Sequence, residues 1–350
     1  MIEAIHKEIR LLNEKENKVT NLNNEIIETI YFGGGTPSIL EVEEIKNLIK
    51  AVYKNYTTAD AIEITLEANP DDITFEKLSG WKDAGINRLS LGIQSLDDDE
   101  LKWMNRAHNA EQALQSIQLI KESGIHNFSI DLIYGSPISK NKSWKAEMEK
   151  IIDLDAPHVA CYALTVETGT ALQKMISLKK KENVSNELQG EQFEFLMGLM
   201  ENKGYDHYEI SNFSKPGFRS KHNSSYWKGI HYLGIGPSAH SFDGEKRRWN
   251  ISNNQLYITS INNNLLPFEE EILSEKDKYN EKIMISLRTS EGLVLNEIEK
   301  LFGKEMRQQL ESGSKKYIDE GKAVLINEKL ILTKAGKLFA DAIASDLFLN

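Results

Sequence analysis

From Ile30 to Leu164 the chain alternates short runs rich in β-branched residues with helix-patterned stretches, and this rhythm constrains the fold more than any other feature. Such alternation builds βα units, whose strands must lie parallel because each crossover returns the chain to the same edge. The expected strands are Thr29–Phe32, Ala61–Glu67, Arg88–Gly92, Asn127–Ile133 and His158–Leu164. Their near-continuous apolar character belongs to strands covered on both faces. Ser38-Ile-Leu-Glu41 has the spacing of a capping box and predicts the start of the first intervening helix. Gly85 and Gly124 suit helix ends. Strands joined this way either curl into part of a barrel or open into a doubly wound sheet, and periodicity alone does not separate the two.

With 350 residues the chain has room for a large α/β domain and a smaller one. The composition shifts to Asn, Ser and Glu after Asn250, which predicts domains over 1–250 and 251–350. The second carries helical patterns over Lys278–Leu287, Leu293–Phe302 and Met306–Glu320. Two short strands follow, Ala323–Ile326 and Lys329–Leu332, with a tight turn at Asn327-Glu328 and a helix from Thr333, a winged-helix pattern. DNA recognition is not the expected use, because 42 Lys and Arg against 53 Asp and Glu leave a net charge of −11. Around Leu178–Glu191 the pattern turns polar, with a three-lysine run read as a solvated insertion or lid.

The first eighteen residues read as an amphipathic helix, not a signal peptide, and no apolar run is long enough for a bilayer. The expectation is a cytoplasmic protein without a transmembrane segment, with peripheral contact at a membrane surface the one membrane role left open. Oligomeric state is not legible. Cys161 is the only cysteine and lies in an apolar run, which excludes an internal disulfide or an all-cysteine metal site and suits a core thiol.

Chemistry concentrates at a few places. Tyr31-Phe-Gly33-Gly34-Gly35-Thr36-Pro37 puts three glycines at the end of a strand, where bare backbone groups can approach a small polar ligand; a plain strand-to-helix turn is the alternative. Glu67, Gln94 and Asp131 each fall within or at the end of a predicted strand, and in a parallel barrel those ends share one mouth. Taken singly, Gln94 as a loop cap, Asp131 as a paired core group and Glu67 as an anchor of the Asn69-Pro70 turn are ordinary alternatives. Arg106 precedes a helix and offers a fork for a carboxylate, or is a surface arginine.

The segment His222-Asn-Ser-Ser-Tyr226-Trp227, followed by the glycine-rich run Leu233–His240, sets an imidazole beside two large aromatic faces. That combination suits a flat macrocycle with a metal centre, since histidine nitrogen is a common axial ligand and aromatic rings pack on porphyrin faces. A loop histidine beside core aromatics is the competing reading.

GGGTP, LEANP, LGIQS followed by NRAH, and IDLIYG stand in the order and context of the radical S-adenosylmethionine (SAM) coproporphyrinogen oxidase family, which this chain resembles from its first helix to its last. The resemblance implies a partial (β/α)6 barrel, its first strand lying before Met1, with a C-terminal helical domain. It also implies that the Gly34, Gly35 and Thr36 backbone holds SAM and that Glu67, Gln94, Arg106 and Asp131 contact its polar groups. The family binds a 4Fe–4S cluster through Cys-x3-Cys-x2-Cys, a motif this sequence does not contain. The expectation is an N-terminally truncated chain whose full-length form carries the cluster; a degenerate relative is the alternative. As given, the chain is expected to perform no radical chemistry.

HNSSYW resembles the segment that marks the family's haem chaperone branch. The branch implies His222 as the haem contact, with Tyr226 and Trp227 beside it, and a protein that passes haem to recipient haem proteins. The other function within the family is oxygen-independent coproporphyrinogen III oxidase, an oxidative decarboxylation in porphyrin biosynthesis.

Overall fold

The computed structural model describes residues 1–13, 25–139 and 141–349. The first helix, α1, runs Ile2–Asn13, and the rest of the segment expected to extend it lies outside the described residues. The alternation follows: β1 Ile27–Phe32, α2 Val42–Asn55, β2 Thr58–Ala68, α3 Phe75–Ala84, β3 Arg88–Gln94, α4 Asp98–Trp103, α5 Ala110–Ser123, β4 Phe128–Tyr134, α6 Asn141–Asp153 and β5 His158–Ala163. Next come α7 Ala171–Ser177, α8 Asn186–Asn202, β6 Asp206–Glu209, β7 Asn212–Ser214 and α9 Lys221–Trp227. The principal sheet has the order β1-β2-β3-β4-β5-β7-β6; β3, β4 and β5 are parallel, and β7 closes against β5 antiparallel.

The chain divides into two compact units, Met1–Thr65 with Gly80–Ile86 and Ser220–Asn350, and Leu66–Ser79 with Asn87–Arg219. The second holds β3 to β5 with the helices that cover them. Leu89, Leu91, Ile130, Leu132 and Val159 are fully buried there, as expected of parallel strands packed on both faces. Helix α5 is bounded by local chemistry: Asn109 caps its first turn, Gln112 reciprocates to the Asn109 N–H, and Gly124 ends it at φ 78°.

The first unit holds α1, β1, most of β2 and everything from Ser220 onward. Its later elements are β8 His240–Phe242, β9 Lys246–Asn250, α10 Asn254–Asn262, β10 Phe268–Ile272, α11 Glu275–Leu287, β11 Leu293–Val294, α12 Leu295–Phe302, α13 Lys304–Asp319, β12 Ala323–Ile326, β13 Lys329–Leu332, α14 Lys334–Lys337 and α15 Ala340–Asp346. Strands β8, β9 and β10 form one small antiparallel sheet that spans position 250. Strands β11, β13 and β12 form another, beside helices α11 to α13. The β12–β13 turn has Asn327 and Glu328 both at positive φ, 49° and 64°, the backbone that matches the twist of a two-residue hairpin.

Two local expectations are corrected. Ser38 does not cap α2; it is buried within a single 3-10 turn, Pro37–Ile39, and the reciprocal box is made one turn later by Glu41 and Glu44. Pro37 directs this outcome, since it fixes the φ of a first turn and cannot serve the interior of a longer helix. The lysine run is not wholly solvated either. Lys181 lies 4.1 Å over the Trp103 ring and its Nζ donates to the Trp103 carbonyl, so the flat aromatic face and a free acceptor hold one member of the run.

Candidate functional site

In the second unit the polar residues expected at strand ends do converge. Strand β3 carries a bulge between Gly92 and Gln94, and Gln94 sits at φ 69°, a conformation that costs a non-glycine residue energy and turns its side chain away from the regular pleat. A Cβ added to Gly92 would stand 3.0 Å from Gln94 Nε2, 3.4 Å from Arg106 Nη2 and 3.6 Å from Asn69 Oδ1, so three polar side chains meet over this glycine. Arg106 Nη2 donates to Asn69 Oδ1 at 2.8 Å and to the Gly92 carbonyl at 3.1 Å.

Asp131 is the register partner of Gly92 on the next strand. Its two carboxylate oxygens accept from Ser90 Oγ at 2.6 Å and Ser129 Oγ at 2.7 Å. Burial pushes its carboxyl up to about 6; the two serines and the Arg88 charge oppose the rise, and the Glu67 charge adds to it. A second row of contacts lies behind: Ser129 Oγ meets His158 Nδ1 at 2.9 Å, and His158 Nε2 meets Tyr208 OH at 2.7 Å. Glu67, Gln94, Arg106 and Asp131 therefore occupy one neighbourhood, with two carboxylates and an arginine for a ligand that carries both an ammonium and a carboxylate.

In the first unit, Gly34 stands at φ 79°, and a Cβ added to Gly34 or Gly35 would meet nothing within 4 Å. Packing does not demand glycine at either place. Open space on the backbone side is what a ligand reading Gly34, Gly35 and Thr36 through main-chain groups requires.

His222 is not a loop residue. It lies in the first turn of α9, which Ser220 caps by accepting from the Asn223 N–H at 3.2 Å. The buried Glu63 carboxylate accepts the N–H groups of Lys221 and His222 at 3.1 and 3.0 Å, meeting donors that every helix start leaves without intrahelical partners. The imidazole stacks on Tyr31 with centroids 4.6 Å apart and planes 17° from parallel. Its Nδ1 lies 2.8 Å from Thr29 Oγ1, and its Nε2 lies 3.2 Å from the Tyr226 hydroxyl. Burial lowers its pKa to about 4, so the ring is neutral near pH 7 and able to act as a metal ligand. Tyr226 belongs to this cluster; the Trp227 ring has the Arg288 guanidinium 5.3 Å over it.

Thr29, Glu63, Ser90 and Ser129 were not singled out in the sequence, and Tyr31 and Asn69 entered only as members of motifs. A usable signal existed: Thr29 and Tyr31, Glu63 and Glu67, and Ser129 and Asp131 are polar or amphipathic residues at even spacing on otherwise apolar strands, so each pair shares a face. The glycine-rich run after α9 is secured by α1, whose buried Glu8 accepts from the Gly236 N–H at 2.7 Å, Asn250 Nδ2 at 2.6 Å and Tyr257 OH at 2.5 Å. Burial raises its pKa despite these donors.

Two family models match, the radical SAM superfamily over residues 4–151 and the HemN C-terminal domain over residues 273–339. The Escherichia coli coproporphyrinogen III oxidase HemN, described as a radical SAM enzyme, superposes with a TM-score of 0.81 over 99% of this chain and 82% of its own, at 19% identity. The fold is thus the curled radical SAM half-barrel with a C-terminal helical domain. Curated relatives include proteins named heme chaperone HemW from Lactococcus lactis, 33% identical over 88% of this chain and 79% of the relative, and from Bacillus subtilis, 32% identical over 95% and 88%. The chain belongs to the HemW haem chaperone family of radical SAM proteins. That family implies SAM and a 4Fe–4S cluster. Cluster ligation does not fit the residues of this chain, whose one cysteine, Cys161, is buried in β5 with its thiol pKa pushed well up by burial. Among the described residues no helix is long and apolar enough to cross a membrane.

Proposed function

We infer that the protein is a haem carrier, taking haem on the His222 imidazole and passing it to recipient haem proteins in the cytoplasm. The observation that carries this reading is the state of His222: a neutral imidazole, fixed at Nδ1 by Thr29 and stacked on Tyr31, beside the aromatic Tyr226. A ligand nitrogen held in this way suits an iron porphyrin, because the second nitrogen's partner fixes ring orientation and raises basicity. The names borne by the relatives agree with it.

SAM is proposed for the other cluster. In the second unit Glu67 and Asp131 would take its ammonium and ribose hydroxyls, Arg106 would take its carboxylate, and Gln94 offers both a donor and an acceptor; the open Gly34, Gly35 and Thr36 backbone of the first unit is proposed separately as a nucleoside contact. This chain's own residues would bind and orient the nucleoside.

Haem uptake and handover test the function. The protein is mixed with haem, freed of excess, and incubated with an apo haem protein, while coproporphyrinogen III is offered anaerobically to a parallel sample. Stable haem uptake followed by spectral appearance of the acceptor's holo form is expected, with coproporphyrinogen unconsumed. Anaerobic conversion of coproporphyrinogen without haem transfer would contradict the carrier reading in favour of the oxidase.

A further inference from the structure

The two nitrogens of His222 are held unequally, and the difference assigns roles to two hydroxyl groups. Nδ1 is 2.8 Å from Thr29 Oγ1 on β1, a residue of the sheet, beneath a ring stacked on Tyr31. Nε2 is 3.2 Å from the hydroxyl of Tyr226, one helical turn along α9, whose residue is 41% exposed. The Tyr226 ring meets the imidazole edge-on, with centroids 5.1 Å apart and planes at 90°, and its other neighbour is Tyr232 at 4.8 Å. An iron approaching Nδ1 would have to displace a sheet residue. One approaching Nε2 need only displace a hydroxyl at the end of a partly exposed side chain.

The geometry points to Thr29 as the positioning residue for haem capture and to the Tyr226 hydroxyl as a displaceable guard on the His222 Nε2 lone pair. This rests on the reading of His222 as the haem contact. An imidazole bound to iron through Nε2 keeps its proton on Nδ1, so Nδ1–H must donate, and Thr29 Oγ1 is the acceptor at hand. In the haem-free protein the same tautomer leaves Nε2 as an acceptor for the Tyr226 O–H. The guard hydrogen bond is exchanged for the iron bond. Tyr226 thus opposes haem entry through its oxygen while its ring remains available for packing on the porphyrin.

Haem titration by the Soret band, with stopped-flow association, is run on the wild type and on His222→Ala, Thr29→Val, Thr29→Ser and Tyr226→Phe, each checked for a native circular dichroism spectrum and melting point. Thr29→Val keeps the shape and removes the acceptor; it should weaken haem about tenfold, the lower end of the range for a partner behind a metal ligand, and shift the Soret band. Thr29→Ser should restore both. Tyr226→Phe should speed association about fivefold, the equivalent of one net hydrogen bond, without loss of affinity. If His222→Ala abolishes binding while Thr29→Val binds as the wild type, the inference fails and the His222 reading stands. Slower association or weaker binding in Tyr226→Phe overturns the guard. Unchanged binding in His222→Ala overturns the reading itself and this inference with it. Should Thr29→Val fail to fold, the Thr29→Ser and Tyr226→Phe results decide: wild-type binding in the first with faster entry in the second supports the inference, and any loss in either overturns it.

Discussion

Asp131 and His222 are both held by neighbouring hydroxyls, yet their partners come from different distances along the chain. The serines on Asp131 lie two residues away on its own strand and on the adjacent strand, at a register position fixed by the parallel pairing. The threonine on His222 lies 193 residues earlier, and the carboxylate that meets its helix start lies 159 residues earlier. One site is built by strand periodicity; the other is built by closure of the fold. Loosening elsewhere should disturb the second site more than the first, because its partners come from segments far apart in the chain.

Removing Glu63 tests that dependence most severely. Glu63→Ala leaves two N–H groups at the start of α9 without their acceptor, at a cost of roughly 3 kcal/mol in urea unfolding, and haem capture should fall with it. A loss smaller than that of any change at the Asp131 serines would erase the contrast between the two sites.

Asp131→Asn should act in the opposite direction. The folded carboxyl titrates near 6, above its ordinary 3.8, so its contribution to stability is present below about pH 4 and is lost as pH rises through 6. Above pH 6.5 the asparagine variant should therefore be more stable than the wild type by roughly 3 kcal/mol, and the gap should close toward pH 4. Melting temperatures across pH 4–8 measure this. A constant gap would mean that burial of the charge is not what strains the strand-borne site.

Ser129→Ala removes a donor to Asp131 and a partner of His158, and about 1 kcal/mol of stability should go with it. The smallest effect belongs to a glycine. Gly35→Ala should change stability by no more than about 0.5 kcal/mol, because open space surrounds its Cβ position, while binding of S-adenosylhomocysteine falls. Gly34→Ala should cost about 1 kcal/mol, since φ 79° disfavours any side chain. A large stability loss at Gly35 with unchanged nucleoside binding would make the glycine run a turn and nothing more.

The same contrast explains what was legible in the sequence. The strands from Arg88 to Ala163 were readable to within two residues, because parallel strands buried on both faces write themselves as apolar runs, and Asp131 was marked as a polar residue within one such run and Gln94 as one at the end of another. The bulge that places Gln94 at positive φ left no trace, since it follows from pairing with β4 and not from local composition. His222 stood out by chemistry, but its position in a helix did not: a seven-residue helix held by Glu63 shows no periodicity to detect. Lys181 looked solvated because its partner, Trp103, is 78 residues away.

The central claim is that His222 holds the iron of a carried haem, and the iron–nitrogen bond is its most direct witness. Resonance Raman spectra of the ferrous haem complex, with and without nitrogen-15 histidine labelling, should show an iron–histidine stretch that shifts on labelling and disappears in His222→Ala. A label-sensitive stretch that persists unchanged in His222→Ala would contradict the account.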